Sequence, residues 1–432
     1  MHGRLAALWQ YLADYLRTAL WVVPAAMTLG AIVLAYAALS FGPAVDAAVQ
    51  REVWWLHSGT GRDAARLMGT LLSSTITVTT LVVSIMVVVL TLAANQLGPR
   101  LIRSFISDRR TQVALGVFIA AIAYMLVVLR TLDSAMATAK VPHTAVTLGS
   151  FLALASIGVL LFFVHHLTRS IVADTVIARV GAEVERALRD RPRLCDGDSE
   201  PAPPAGGASV DLRGGGYVQV VDYDGMVRCA EAASATVVLD IRPGDHLLPG
   251  QPALRVVPAA ALTKDLAQGL RATVILGPQR TAPQDPQLGL RQLVEIGLRA
   301  LSAGINDPYT AIAVIDRLAL ALARDLALPP PKAVHRDGGG TARVFARPAI
   351  FAELVDTAYG QLRQDAEGRA DILLRLLSAL GELARAARRD DQRAVLGRHA
   401  GMVLTLARRS IHEPRDLAVL ERRWRDIAPD AS

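Results

Sequence analysis

The chain has 432 residues, of which 52% are hydrophobic and only 20% charged, with a formal net charge of +7. Soluble domains carry about 25% charged residues, and the deficit here is concentrated ahead of Arg169, where uncharged runs are long enough to cross a bilayer. Such a chain is not a wholly soluble enzyme, a disordered protein or a secreted disulfide scaffold.

Residues 1–17 mix Arg4, Asp14 and Arg17 with apolar side chains and read as a cytoplasmic amphipathic segment. No small-residue cleavage site follows the first apolar run, so that run reads as a signal anchor rather than a cleaved peptide. Four stretches lack Asp, Glu, Lys and Arg: Thr18–Val45, Leu67–Pro99, Thr111–Leu129 and Val141–Thr168. A crossing helix needs about 20 apolar residues, which predicts spans over about 18–41, 70–97, 111–131 and 144–168, together forming a transmembrane domain over 18–170. The second run is longer than the hydrocarbon requires, so its helix must tilt or project.

Arginine placement orients the set. Arg100, Arg103, Arg109 and Arg110 follow the second span, and a further series from Arg169 to Arg193 follows the fourth. The positive-inside rule places these loops and both termini in the cytoplasm, so the expected chain crosses its membrane several times. The first loop, Val45–Met68, combines Trp54 and Trp55 with Arg51, Glu52, Arg62, Asp63 and Arg66. It reads as an amphipathic segment at the outer interface, either a plain anchor or a lid over a pore.

Beyond the spans, residues 171–209 read as a helical extension (171–187) and a Pro- and Gly-rich linker (191–209). Residues 210–260 carry three short runs rich in Val, Ile and Tyr, at Tyr217–Val221, Thr236–Ile241 and Ala253–Val257. Gly and Pro punctuate them, as in a small β module. The turn from Pro243 to Gly250 is similar to the hairpin of biotinyl- and lipoyl-type barrels. Those carriers present a lysine there, and this chain has none between Lys140 and Lys264. From Leu288 the pattern is helical through Leu326, with a break at Gly304–Pro308 where Asn306 or Asp307 can cap the next helix and Pro308 suits its first turn. A loop over Pro329–Gly340 precedes helices at about Ile350–Gln364, Ala366–Arg388, Asp391–Ser410 and Pro414–Ile427. Residues 261–432 thus form a mainly α-helical cytoplasmic domain. The expected fold class is an α-helical membrane protein of four transmembrane helices with a cytoplasmic α+β region: a small β-barrel-like module, then a helical domain.

Two regions carry functional candidates. In the second span Ser73, Thr77, Thr80, Ser84, Thr91 and Asn95 share one helical face, broadened by Ser74, Thr75 and Thr79. The face serves either helix–helix packing or an uncharged, hydroxyl-lined conduction path. On the second reading Arg100, Arg103, Arg109 and Arg110 form an electropositive inner mouth that favours an inorganic anion. Near the helical break, Glu295, Arg299, Asn306, Asp307 and Tyr309 form either a capped turn or a ligand or subunit-contact site. His165 and His166 close the fourth span, as interfacial polar groups or as a pH-sensitive gate. The two cysteines, Cys195 and Cys229, lack metal-ligand spacing. No phosphate-binding loop, zinc-protease helix or nucleophile elbow occurs. No cofactor, metal or nucleic-acid partner is expected, and an enzyme is the least supported class.

The segments Leu288–Ile296 and Arg299–Ala311, with Asn95-Gln96-Leu97-Gly98-Pro99-Arg100 and Gly216-Tyr217-Val218-Gln219, resemble the bacterial membrane-protein family known as domain of unknown function 2254. The likeness covers nearly the whole chain. It departs at Ala303, where proline is the family expectation. It implies an integral inner-membrane protein with a large C-terminal region, and no reaction. The functional expectation is a homo-oligomeric channel or channel-like protein, anion-permeable and gated by its cytoplasmic part. The alternative is a non-conducting scaffold or sensor whose cytoplasmic domain binds a partner.

Overall fold

The structure is a computed structural model that describes residues 19–49, 59–97, 108–133, 135–136, 138–170, 172–194, 200–281 and 284–427. The described chain falls into two compact units that meet in sequence between Val172 and Ala173.

The first unit contains four helices: α1 (Val22–Val49), α2 (Gly61–Leu97), α3 (Arg109–Thr131) and α4 (His143–Ser170). Each is long and apolar enough to cross a bilayer, with apolar stretches of 21, 32, 23 and 25 residues. The second stretch exceeds the roughly 20 residues a span needs, as its long uncharged run implies. The expected interfacial segment Val45–Met68 is corrected at both ends. Val45–Val49 completes α1, and Gly61–Met68 is the first part of α2. A capping box explains where α2 starts: Asp63 accepts from the Thr60 backbone N–H at 3.1 Å, and Thr60 Oγ1 accepts from the Asp63 N–H at 3.3 Å. Trp54 and Trp55 lie outside the described residues, as do residues 1–17.

Small residues set the packing of this unit. Ala35, Ala64, Ala121 and Ala145 are fully buried, and Gly116 on α3 leaves the space that the Met27 thioether of α1 occupies. Close backbone approach of this kind is how helices associate where lipid offers no hydrophobic difference. Two polar contacts fix the register. The Tyr124 hydroxyl donates to the Ala145 carbonyl at 3.0 Å. Asp46, near the end of α1, accepts from the Thr144 N–H at 3.0 Å and its hydroxyl at 2.5 Å, capping α4 from another helix.

The second unit begins with α5 (Ala173–Arg189), in the place of the expected helical extension. Its strands form two open sheets. In the first, β1 (Ala208–Asp211), β5 (Pro252–Val257), β3 (Thr236–Leu239), β8 (Ala342–Phe345) and β7 (Val334–Arg336) lie in that order. In the second, β2 (Gly216–Val221) lies between β4 (His246–Leu247) and β6 (Val274–Gly277). All pairs are antiparallel except β3 with β8, which run parallel with Val237 beside Val344. The barrel-like module is therefore corrected to two unclosed sheets. A small barrel needs one ladder that returns on itself with consistent tilt and register. Here the chain alternates between the two sheets at every strand from β1 through β7. Two helices not foreseen from the sequence, α6 (Tyr223–Ala232) and α7 (Lys264–Ala272), supply Met226, Ala230, Leu266 and Leu270 to the core instead. The expected loop Pro329–Gly340 is also corrected, since it contains β7, hairpin partner of β8.

The remaining helices follow the expected pattern: α8 (Pro286–Leu301), α9 (Pro308–Leu326), α10 (Phe351–Asp365), α11 (Ala370–Ala386), α12 (Asp390–Ser410) and α13 (Pro414–Arg425). Helix α9 is central, packed against α5, α8 and α11. Two buried carboxylates bind it to its surroundings. Glu185 on α5 meets Arg317 at 2.9 Å and also Arg324, both from α9; Gly181 leaves the room through which Arg317 passes. Asp325, at the end of α9, accepts from Arg191 and Arg193 at 2.6 Å each. Burial pulls the Arg191 guanidinium below its usual value, and Asp325 works against that pull.

Removing a partner from a buried ion pair costs about 3–5 kcal/mol, because the remaining charge stays buried alone. Asp325 is 6% exposed and its two arginines 11% and 12%. We expect Asp325→Ala to destabilise the second unit by about 3 kcal/mol. Thermal unfolding of the detergent-solubilised protein checks this, with an unchanged midpoint as the contrary result.

Candidate functional site

Helix α2 has two opposite faces. Ala64, Met68, Thr75, Val82, Met86 and Val89 are buried against the helices of its own unit. Ser73, Thr77, Thr80, Ser84 and Thr91 are exposed, about half a turn away at 100° per residue. The stripe inferred from spacing is therefore real as a face, and none of its five described members packs into the unit. Thr75 and Thr79 turn inward instead, buried and half-buried, so of the three flanking hydroxyls only Ser74 widens the exposed face. The hydroxyls of Thr77, Thr80, Ser84 and Thr91 donate to the carbonyls of Ser73, Ile76, Thr80 and Val87 at 2.9–3.0 Å. Such back-bonding satisfies each donor within the helix. The side chain of Asn95 lies outside what is described.

Arg62 and Arg66 are exposed about three and two turns further toward the start of α2. Their spacings of 11 and 7 residues from Ser73 keep them on the hydroxyl face. At the other end, Arg109 and Arg110 open α3 as exposed residues, while Arg100 and Arg103 lie outside the described residues. Asp108 caps α3 by accepting from the Arg110 N–H at 3.3 Å, and lies 2.5 Å from His166 Nε2 of α4. That pair ties two helix ends together, and it brings a carboxylate beside the basic pair that the sequence reading did not include. His165 is exposed.

The turn between α8 and α9 is shaped by two side chains. Asn306 adopts a φ of 51°, a left-handed conformation that asparagine tolerates better than most residues. It accepts from Arg369 at 2.9 Å, and the same arginine reaches the Leu301 carbonyl at 2.7 Å. Asp307 caps α9, accepting from the Thr310 N–H at 3.1 Å and its hydroxyl at 2.6 Å. The Thr310 bonds hold its carboxyl below the usual range. Both residues are thus engaged in building the turn. Tyr309 is 81% exposed beside them. Glu295 is half-buried and Arg299 exposed on α8, ahead of the turn.

A further feature was not found from the sequence. The second unit holds a partly open cavity of about 220 Å³. Its walls come from the end of α5 and the residues after it, the start of α6, the Arg242–Pro243 turn, the start of α8, and the segments on either side of the β7–β8 hairpin. Tyr223 and His335, both in its lining, stack on each other with ring centroids 4.4 Å apart and planes within 4°. Burial, aided by the Lys332 charge, lowers the His335 pKa, so its ring is neutral near pH 7; burial pushes the Tyr223 hydroxyl up to about 12. Asp285, 2% exposed, is raised by burial and held by Arg280 at 2.6 Å. No group of His, Cys, Asp and Glu suited to a metal ion occurs among the described residues.

The family model described as a predicted membrane protein, DUF2254, matches residues 17–382. The chain belongs to this family. The motif resemblance at Leu288–Ala311 and Asn95–Arg100 is thereby upheld, and membrane residence joins the four apolar helices as a property of the chain. The chain is similar to an uncharacterized protein of Mycobacterium bovis and to one of Mycobacterium tuberculosis strain H37Rv. Each is 30% identical over 425 residues, spanning 94% of this chain and 80% of the relative. No solved structure matches the chain.

A histidine held neutral by burial makes stability depend on pH. The folded His335 pKa lies below the unfolded value near 6.5, so between the two the unfolded chain binds more protons. Stability from this residue is complete above about pH 6.5 and is lost as pH falls toward the folded pKa. His399 has the same sign, since burial is its largest cause and outweighs Asp356. We expect unfolding midpoints to fall between pH 7 and pH 5.5, and His335→Asn to remove part of that fall. Identical pH slopes in the variant and the wild-type protein are the opposing result.

Proposed function

We propose that this membrane protein is a homo-oligomeric channel or channel-like protein of the bacterial inner membrane, with both termini in the cytoplasm. In this reading the exposed face of α2 lines an anion-permeable path, and the C-terminal region gates it. The observation that carries the reading is the position of Ser73, Thr77, Thr80, Ser84 and Thr91, opposite the buried face of α2 and unused by the packing of its own unit. A helix facing only lipid gains nothing from a continuous hydroxyl face, whereas a path for a partly hydrated ion does. Arg62 and Arg66 on the same face, with Arg100, Arg103, Arg109 and Arg110 beyond its other end, support anions over cations at both entrances. Arginine distribution supports the orientation.

A second reading is a non-conducting scaffold or sensor, and one observation favours it. Four of the five hydroxyls are already satisfied by carbonyls of their own helix, so this face can meet lipid or another helix without water. The Glu295, Arg299, Asn306, Asp307 and Tyr309 region, with its exposed tyrosine, would then be the contact surface for a partner.

Ion flux separates the two. Proteoliposomes holding the full chain are loaded for halide and potassium efflux, beside a Thr80→Val/Ser84→Ala double variant of matched oligomeric state. Conduction by this face predicts halide flux above potassium flux, reduced several-fold in the variant. Halide flux equal to that of empty vesicles, from protein shown to be inserted and folded, removes the channel reading in favour of the sensor.

A further inference from the structure

The cavity of the second unit is not a packing defect. Engineered defects in protein cores are apolar and dry, whereas this one is lined by charged, aromatic and amide side chains. Five prolines (Pro192, Pro243, Pro286, Pro331 and Pro348) stand in its walls, each from a different segment. Their fixed φ angles restrict collapse of those segments, as expected of a pre-formed ligand site.

The charges around it do not cancel. Arg191 is committed to Asp325, and Arg242 to Glu353 with Asp245 close by. Asp285 is committed to Arg280, and Asp190 is exposed beside Arg189. Two cations remain. Lys332 has no carboxylate within salt-bridge distance among the described residues; its charge reaches His335, on which the charges of Asp224 and Glu200 act more weakly in the opposite sense. Arg347 reaches only Glu353, at 3.7 Å, a carboxylate that Arg242 already holds more closely. Beside them stand the parallel rings of Tyr223 and His335, to which a planar ring can add by stacking.

We propose that this cavity binds a small organic anion built on a planar ring, of the nucleoside monophosphate class. Lys332 and Arg347 receive the anionic group, and the Tyr223–His335 pair receives the ring. The size sets an upper limit. Drug-sized ligands occupy sites of about 300–1,000 Å³, so a cavity of about 220 Å³, below that range, has room for no more than one nucleotide and excludes a dinucleotide. The proposal goes beyond the conduction reading and needs no flux, so either can fail without the other.

The test is equilibrium binding to the full-length protein in detergent. The four common ribonucleoside 5′-monophosphates, their four parent nucleosides and inorganic phosphate are titrated separately. At least one monophosphate is expected to bind saturably at one per chain. Its parent nucleoside and phosphate should each bind at least about tenfold more weakly, a difference of about 1.4 kcal/mol. Lys332→Gln should weaken the monophosphate about tenfold and leave nucleoside binding unchanged. Tyr223→Leu should weaken both, provided its unfolding midpoint matches the wild-type value. Lys332 is half-buried, so Lys332→Gln keeps the test decisive should the tyrosine variant fail to fold. Absence of saturable binding below about 1 mM for all four monophosphates overturns the proposal, as does affinity unchanged in Lys332→Gln. Phosphate binding as tightly as the best monophosphate overturns the ring's part in it.

Discussion

Asp325 accepts two guanidinium groups on one carboxylate oxygen, at a depth where water cannot share the work. Much of the second unit depends on this arrangement. The arginines come from the segment that follows α5, and the carboxylate from the end of α9, so the contact closes a loop of more than a hundred residues. Backbone bonds then pair the same segments: Leu194 donates to Pro330, and Lys332 to Pro192, at 3.0 and 2.9 Å. Arg191, Pro192, Pro331 and Lys332 all line the cavity. The ion pair that anchors α9 is thus also what holds opposite walls of the cavity in place. A buried charge pair is weak evidence for net stability. Its value here is positional, because two arginines on one carboxylate fix the approach of two strands that share no regular sheet.

A different constraint governs the first unit. Inside a bilayer every backbone group must find its partner within the protein, and polar side chains must do the same. Four of the five hydroxyls described on the exposed face of α2 meet that demand by turning back on their own helix. This makes the exposed face tolerable in lipid, while each oxygen keeps lone pairs that can still accept. Helix ends face the same problem more acutely. Asp46 of α1 for α4, Asp108 for α3 and Thr60 with Asp63 for α2 solve it with side chains, so these three carboxylates bordering the spans act as caps. Asp108 carries a second task, since His166 joins it to α4.

Elements whose signal is local were legible in the sequence. The four spans follow from uninterrupted apolar runs. Helices α8 to α13 follow from periodicity, with Asp307 and Pro308 marking the start of α9 within a residue. The hydroxyl face of α2 follows from spacing alone. Features made by distant partners were hidden. The parallel pairing of β3 with β8 joins residues about a hundred positions apart, and each strand is only four residues long. Without β8 in view, the remaining short strands suggested a small closed module. The start of α2 was missed for a different reason. Thr60 and Asp63 form a legible capping box, but the neighbouring tryptophans and charges drew the reading toward an interfacial segment. Spacing also could not tell which side of α2 its own unit would bury, and so it counted Thr75 and Thr79 with the exposed hydroxyls.

The cavity shows why a site can leave no trace in a linear reading. Its five prolines lie in five segments, and each looks locally like ordinary loop punctuation. Its surplus charge is visible only after the ion pairs are assigned, because Arg191 and Arg242 would otherwise count equally with Lys332. The neutrality of His335 likewise depends on burial and on Lys332 three residues away. What distinguishes the site is therefore a difference: cations left over once every buried carboxylate has been satisfied, next to aromatic rings already aligned. Pre-formed walls lower the ordering cost of binding, so a ligand held there needs few contacts to be retained. Those same walls punish the wrong shape, since proline-bounded segments cannot move apart cheaply to admit a larger molecule. Selectivity at this site should accordingly come from size and ring planarity first, with charge setting affinity within that class.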